Sequence, residues 1–238
     1  MSPTIVLVHG AFAESASWDS VIDRLLDSDQ RVTAVANPLR GVANDAAAVS
    51  DVVRSIEGPV VLAAHSYGGA VISNVDPAAG DIAGLVYLDA FAPDTGESAF
   101  ELAGKFPGST LGEDTLEPVP LGDGRTDLYI REERFHELFC ADVPAQKAAR
   151  MALTQRPATQ EALVEPTGER PLWKEHPSWF LVGEQDLIIP PALQHFMAER
   201  AAAERTIEIP GASHAISVGQ PEQTAQLILE AAASRVHA

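Results

Sequence analysis

Ser66 closes an apolar run, residues 60–64, and two residues later comes Gly68-Gly69. A lone serine hydroxyl is a poor nucleophile. Held on a sharp strand-to-helix turn, its oxygen projects from the sheet toward a base, and the following helix points its positive N-terminus at the site. The small residues at minus two and plus two, Ala64 and Gly68, suit a place where strand and helix pass too close for bulk. The commoner pattern is Gly-x-Ser-x-Gly, so Ala64 is a departure, and the smallest one available. Taken alone, the run also fits a buried strand with a Gly-Gly turn and an incidental serine. A nucleophile needs a base to take its proton and an acid to orient that base. His214 follows Gly211-Ala212-Ser213, and Asp186 follows Gly183-Glu184-Gln185. The oxyanion formed on attack needs two backbone donors. One is expected from Tyr67 N–H, directly after the nucleophile. The other is expected from the loop His9-Gly10-Ala11-Phe12, with Ala11 N–H first and Phe12 N–H second.

These residues need a scaffold that brings three distant loops to one edge. Strands are expected at residues 5–8, 32–36, 60–64, 82–88, 179–182 and 206–209. Helices are expected between them, the first with Trp18, Val21, Ile22, Leu25 and Leu26 on one apolar face, the second capped by Asn44. The helix after the elbow runs from Gly69 to about Pro77, and the last two occupy about 190–202 and 221–234. This alternation reads as an α/β fold with a mostly parallel, doubly wound sheet. Residues 95–176 break it. Residues 104–124 are rich in glycine and proline and read as loop, and 127–140, 144–155 and 158–164 read as three helices. The expected organisation is therefore a core of residues 1–94 and 177–238 with a helical cap, 95–176, inserted after the fourth strand.

In an open parallel sheet the carboxyl ends of the strands form the ligand-binding edge. Ser66, Asp186 and His214 all follow strand ends, in the chain order Ser, Asp, His expected of this architecture. His9, His65, His136, His176, His195 and His237 compete as bases, but His214 alone follows the last strand. Asp89 and Asp94, after the fourth strand, compete as the acid, and Glu184 is a further rival. Chain order and loop position favour Asp186, and Asp89 stays open as its substitute.

The composition bounds the partners. The 238 residues carry 34 acidic and 16 basic side chains, a formal net charge of −18. Such a surface repels phosphate backbones and anionic lipid, so nucleic acid and membranes are disfavoured. The single cysteine, Cys140, excludes an internal disulfide and is expected to be a buried apolar residue. With no signal-like N-terminus and no apolar run approaching ~20 residues, a cytoplasmic protein is expected. No phosphate-binding glycine loop or metal-ligand cluster stands out, so no cofactor or metal is expected. The oligomeric state, monomer or homodimer, stays open.

With these residues assembled, the chain resembles the α/β-hydrolase-fold serine esterases. It is most similar to the branch of plant methyl-salicylate esterases and hydroxynitrile lyases and their bacterial relatives. The stretches carrying the likeness are residues 6–12, 58–71, 90–94, 177–183 and 211–214. The resemblance implies Ser66 as nucleophile, His214 as base, Asp186 as orienting acid, and Ala11 and Tyr67 as oxyanion donors. It implies hydrolysis of small or aromatic carboxylic esters through an acyl-enzyme, with a small-molecule ester as the partner. Phe12, Phe135 and Phe139 are expected at the substrate. Leu128, Leu138, Met151 and Leu153 are possible further wall residues, though most of the cap residues would also serve to pack the cap onto the core. The plant lyases carry threonine where this chain has Gly10, and lysine where it has Ala215. Without that lysine a departing cyanide would sit uncompensated in a dry pocket, which ranks ester hydrolysis above cyanohydrin cleavage. The alternatives are a lyase on the same triad and a ligand-binding receptor with residual hydrolase activity.

Overall fold

The computed structural model describes residues 2–234, so His237 lies outside the described residues. The chain opens with β1 (Thr4–Val8), α1 (Asp19–Asp27), β2 (Arg31–Val35), α2 (Val42–Arg54), β3 (Pro59–Ser66), α3 (Tyr67–Ser73) and β4 (Asp81–Ala90). Next come α4 (Ala99–Ala103), β5 (Leu116–Pro120), β6 (Thr126–Ile130), α5 (Glu132–Phe139), α6 (Ala145–Thr154), β7 (Ala158–Thr159) and α7 (Gln160–Val164). It ends with β8 (Ser178–Gly183), α8 (Pro191–Arg200), β9 (Arg205–Ile209), α9 (Ile216–Gly219) and α10 (Pro221–Ala233).

Six strands form one parallel sheet in the order β2-β1-β3-β4-β8-β9. Period-two alternation divides its side chains between two faces. Ile5, Leu7, Val61 and Ala63 lie in one cluster with Trp18, Val21 and Leu25 near α1 and Leu227 and Ile228 of α10. Val6, Val8, Val60, Leu62 and Ala64 lie in the other, with residues of α2, α3, α8 and the cap. All five residues of β1 are buried, as expected of a central strand covered on both faces, whereas the edge strands β2 and β9 are largely open. The strand order reverses between β1 and β3. That switch point, at the carboxyl ends of the strands, is where such sheets form a ligand crevice. It lies between the His9-Gly10 loop and Ser66.

Two sequence expectations need correction. The segment between β4 and β8 is not purely helical: β5, β6 and β7 form a three-stranded antiparallel sheet. A helix beginning at residue 127 gives way to β6, and α5 starts at Glu132. Thr126, Tyr129 and Ile130 favour a pleated surface, and Gly122-Asp123-Gly124 turns the chain back on β5. Gly124 takes φ +88°, and Leu121 N–H bonds to Arg125 O at 2.8 Å. Pro118 and Pro120 fit because β5 is an edge strand. Asn44 does not cap α2 either. The helix starts two residues earlier, after Gly41 at φ +151°, and Asp45 accepts Arg40 N–H at 3.1 and 3.2 Å.

The inserted segment is fastened to the core beside the site. Phe12 N–H donates to Arg156 O at 2.9 Å, Thr159 N–H to Leu39 O at 3.1 Å and Ala215 N–H to Phe139 O at 2.9 Å. Arg40 pairs with Asp127, and the Ser213 hydroxyl donates to the Asp142 carboxylate.

Candidate active site

Ser66 is the last residue of β3 and directly precedes α3, at φ 56° and ψ −127°. A non-glycine residue rarely adopts that region, and the strain persists only because the surroundings over-determine it. The neighbours show how. A β-carbon on Gly68 would lie 2.6 Å from Val8 O, and one on Gly69 would overlap Phe91 O. A β-carbon on Gly10 would lie 2.5 Å from Ser66 Cβ and 2.8 Å from His65 O. Glycine at these three positions lets α3 and the loop after β1 close around the serine.

Three of the expected residues meet. His214 Nδ1 is 2.9 Å from Asp186 Oδ2, and His214 Nε2 is 2.9 Å from Ser66 Oγ. All three are buried. A carboxylate only accepts, so Nδ1 carries the hydrogen and donates to Asp186. Nε2 is then the acceptor for the Ser66 hydroxyl, which is the arrangement a general base needs. Asp186 is itself fixed: its Oδ1 accepts Ile188 and Ile189 N–H at 2.8 and 2.9 Å, and its Oδ2 accepts Gln194 Nε2 at 2.9 Å.

Asp89 does not touch His214. Its Oδ1 accepts Gly183 N–H at 2.6 Å and Gln194 Nε2 at 3.2 Å, while its buried Oδ2 has no hydrogen-bond partner. Burial, followed by the nearby Asp186 charge, pushes the Asp89 carboxyl well above the ordinary carboxylate range. The two acids thus share one amide, with Asp186 facing the base and Asp89 behind it. Of the other rivals, Asp94 pairs with Lys174, Glu184 accepts Gly211 N–H at 2.8 Å, and His195 pairs with Glu208 at 2.6 Å. His136 Nε2 donates to Val143 O at 2.8 Å.

Tyr67 N–H is the first donor of α3 and one of the orphans every helix start leaves. Its ring is anchored, with the hydroxyl donating to buried Asp45 at 2.9 Å. Of the two candidate donors after β1, Phe12 N–H is engaged by Arg156 O, whereas Ala11 N–H has no intramolecular partner among the described residues. Phe139 stands edge-on to the His214 ring at 5.0 Å, and Phe135 packs on Phe139 at 4.9 Å. Phe12 instead lines a cavity of about 350 Å³ together with Met151, Gln155 and Val218. Leu153 points away, 71% exposed. Cys140 is buried and its thiol is pushed up to about 12 by burial and then by Asp142. Among the described residues, no group of three or more His, Cys, Asp or Glu is arranged to hold a metal ion, and no helix is long and apolar enough to cross a membrane.

Three supporting residues escape a reading of motifs. His9 accepts Asn37 N–H at Nε2, 3.1 Å, so its Nδ1–H donates to Gly10 O at 2.9 Å. That bond fixes the Gly10–Ala11 peptide, whose N–H is the candidate oxyanion donor. His65 Nε2–H donates to His214 O at 2.8 Å and holds that residue's backbone. Gln194 was visible only as a polar residue beside Leu193, Met197 and Ala198 on the buried face of α8.

Both supporting imidazoles are kept neutral. Burial, helped by Arg156, lowers His9 from its ordinary 6.5 to about 4. Burial and the His214 ring lower His65 well below its ordinary value. Between the folded and unfolded pKa values the unfolded chain binds more protons, so stability is full above pH 6.5 and falls as the pH drops through the folded value. For His9 the loss by pH 4 and below amounts to about 3 kcal/mol at about 1.4 kcal/mol per unit. Urea midpoints measured from pH 7 to pH 4 should fall steeply, and His9→Asn should flatten part of that slope. An unchanged slope would mean that His9 is already charged in the folded protein.

Residues 5–227 match the family model described as "Alpha/beta hydrolase family". The chain is 29% identical over 243 aligned positions to a pyrethroid hydrolase of Sphingobium wenxiniae, covering 95% of this chain and 86% of that one. A crystal structure of a pyrethroid hydrolase superposes with a TM-score of 0.79 at 23% identity, covering 99% of this chain and 100% of the other. Polyneuridine aldehyde esterase superposes with a TM-score of 0.79 at 19% identity, covering 97% and 99%.

Proposed function

The chain belongs to the alpha/beta hydrolase family, and from that premise we propose that it is a serine esterase of the methyl-salicylate esterase branch. It hydrolyses carboxylic esters of small or aromatic substrates through an acyl-enzyme. The observation that carries this reading is the unbroken hydrogen-bond chain from Asp186 Oδ2 through His214 to Ser66 Oγ, both links 2.9 Å. The names of the relatives support the same chemistry, since a pyrethroid hydrolase and an esterase are among them.

In this mechanism Ser66 Oγ attacks the ester carbonyl as its proton passes to His214 Nε2. Asp186 stabilises the imidazolium and holds its tautomer. Ala11 and Tyr67 N–H groups receive the oxyanion, and their preorganisation lowers the barrier because no solvent reorganises. His214 then protonates the departing alkoxide. Water, activated by the same nitrogen, attacks the acyl-enzyme and releases the acid and free Ser66. The reaction needs no metal or organic cofactor. Gly10 also speaks for a hydrolase. A threonine there, as in the plant lyases, would bring its β-carbon to 2.5 Å from Ser66 Cβ and force the elbow to move.

Diethyl p-nitrophenyl phosphate tests the reading directly. It should release one p-nitrophenolate per protein and leave a diethylphosphoryl group on Ser66, found by peptide mass spectrometry, with loss of p-nitrophenyl ester turnover. No adduct and no ester turnover would overturn it.

A further inference from the structure

The chain carries far more acid than base, and its cations are mostly spoken for. Of the described lysines and arginines, Arg24 and Arg31 donate to the backbone carbonyls of Ser20 and Ser2, and most others pair with carboxylates. Three have neither kind of side-chain partner: Lys147, Arg150 and Arg156, all within one ten-residue stretch. Lys147 and Arg150 belong to α6, and with Met151 and Thr154 they follow the spacing i, i+3, i+4, i+7 that places residues on one helical face. That face lines the cavity of about 350 Å³ beside Phe12. Arg156 follows α6, gives its carbonyl to Phe12 N–H, and is near enough to His9 to depress its pKa.

The cavity lies beside the machinery described above rather than around it, for none of Ser66, Ala11, Tyr67 and His214 lines it. Its walls include Phe12, next to Ala11, and Val218, from the segment after His214. Glu14 and Asp19 line the facing core wall, and neither forms an ion pair with the two cations. An unpaired carboxylate is the ordinary condition of a surface with 34 acids and 16 bases, whereas an unpaired cation is not. The distinctive feature of this cavity is therefore the pair of idle cations. Its volume suits a small ligand.

We propose that this cavity seats an anionic group carried by the substrate, so that the preferred esters are half-esters of short dicarboxylic acids. The proposal rests on the esterase reading and adds a substrate class to it. A single carboxylate would sit against Lys147 and Arg150 on α6. Glu14 and Asp19 opposite would repel a second anion, which restricts the site to monoanions. The cations are exposed at the cavity lip, so each contributes as a screened pair.

The test compares methyl hydrogen adipate with methyl hexanoate, which share a chain length and differ by the terminal carboxylate, by methanol release. The wild type should prefer the adipate half-ester, and 0.5 M salt should erode the preference. Lys147→Gln and Arg150→Gln should each raise KM for the half-ester by about fivefold, and the double variant by about twentyfold, at the upper end for exposed pairs. In each case kcat and methyl hexanoate turnover should be unchanged. Calorimetric titration of methyl hydrogen adipate onto the Ser66→Ala protein, with and without the two glutamines, decides the point even if neither ester turns over. Binding that the glutamines abolish supports the cavity, whatever becomes of the esterase reading. Equal handling of the two esters by wild type and double variant, or binding indifferent to the glutamines, overturns it.

Discussion

Ser66→Ala is expected to lower kcat for a p-nitrophenyl ester by about 10⁶, the loss seen when the nucleophile of a comparable triad is removed. The side chain makes a single hydrogen bond, to His214 Nε2. Removing it should leave the melting temperature nearly unchanged, because alanine meets the same strained backbone at φ 56°. A residual rate above the uncatalysed one should persist, because the Ala11 and Tyr67 donors survive the substitution. A variant that folds normally and keeps more than a hundredth of the wild-type rate would remove Ser66 from the mechanism.

The second large effect separates two acids. Asp186→Asn is expected to cost about 10⁴ in kcat, and the structure gives the reason. Ile188 and Ile189 N–H both donate to Oδ1. An asparagine must therefore keep its oxygen there and turn its NH₂ toward His214. The imidazole then accepts at Nδ1, moves its proton to Nε2, and can no longer take one from Ser66. Asp89→Asn should behave oppositely. Its Oδ1 would still accept Gly183 N–H, and its NH₂ would take the place of Oδ2, on the side where Ala212 O and Ser213 O also border Gly183. Asp89 has its pKa raised above the unfolded value, so its contribution to stability is full below the ordinary carboxylate range and is lost as the pH climbs through the folded pKa. Replacing it should hold kcat within about tenfold and raise the melting temperature on the alkaline side. If Asp89→Asn collapses turnover while Asp186→Asn does not, the orienting acid is Asp89.

What the sequence made legible follows from where the chemistry sits. Ser66, Asp186 and His214 each fall within a few residues of an expected strand's end, and a strand end in an alternating α/β pattern is readable without coordinates. Their order along the chain then separates Asp186 from Asp89 by position alone. The helpers were not legible, because their roles are pairings across the fold. His9 looks like any histidine until Asn37 fixes its tautomer and Gly10 O accepts a hydrogen bond from its Nδ1–H. His65 and Gln194 show only as polar residues among apolar ones. Asp89 reads as one more acid, and only full burial beside Asp186 shows that its carboxyl is pushed well above the ordinary range. The inserted sheet was missed for a different reason. Prolines in β5 masked an edge strand, β7 is two residues long, and β6 pairs with it across the intervening helices α5 and α6. Apolar residues at 128, 135, 138 and 139 mimic a helical stripe over a segment that changes structure at Arg131.

The fastenings between insert and core set how substrate reaches Ser66. One of them ends on Phe12, beside the candidate oxyanion donor Ala11, and others end on Ser213 and Ala215, on either side of His214. Swinging the insert away would pull on the parts that must stay aligned. Exchange should therefore run by side-chain rotamer motion, with the roof in place. An oil–water interface, which switches on enzymes whose cover lifts off, has nothing to lift here. The rate should follow dissolved ester smoothly and show no jump where droplets first form.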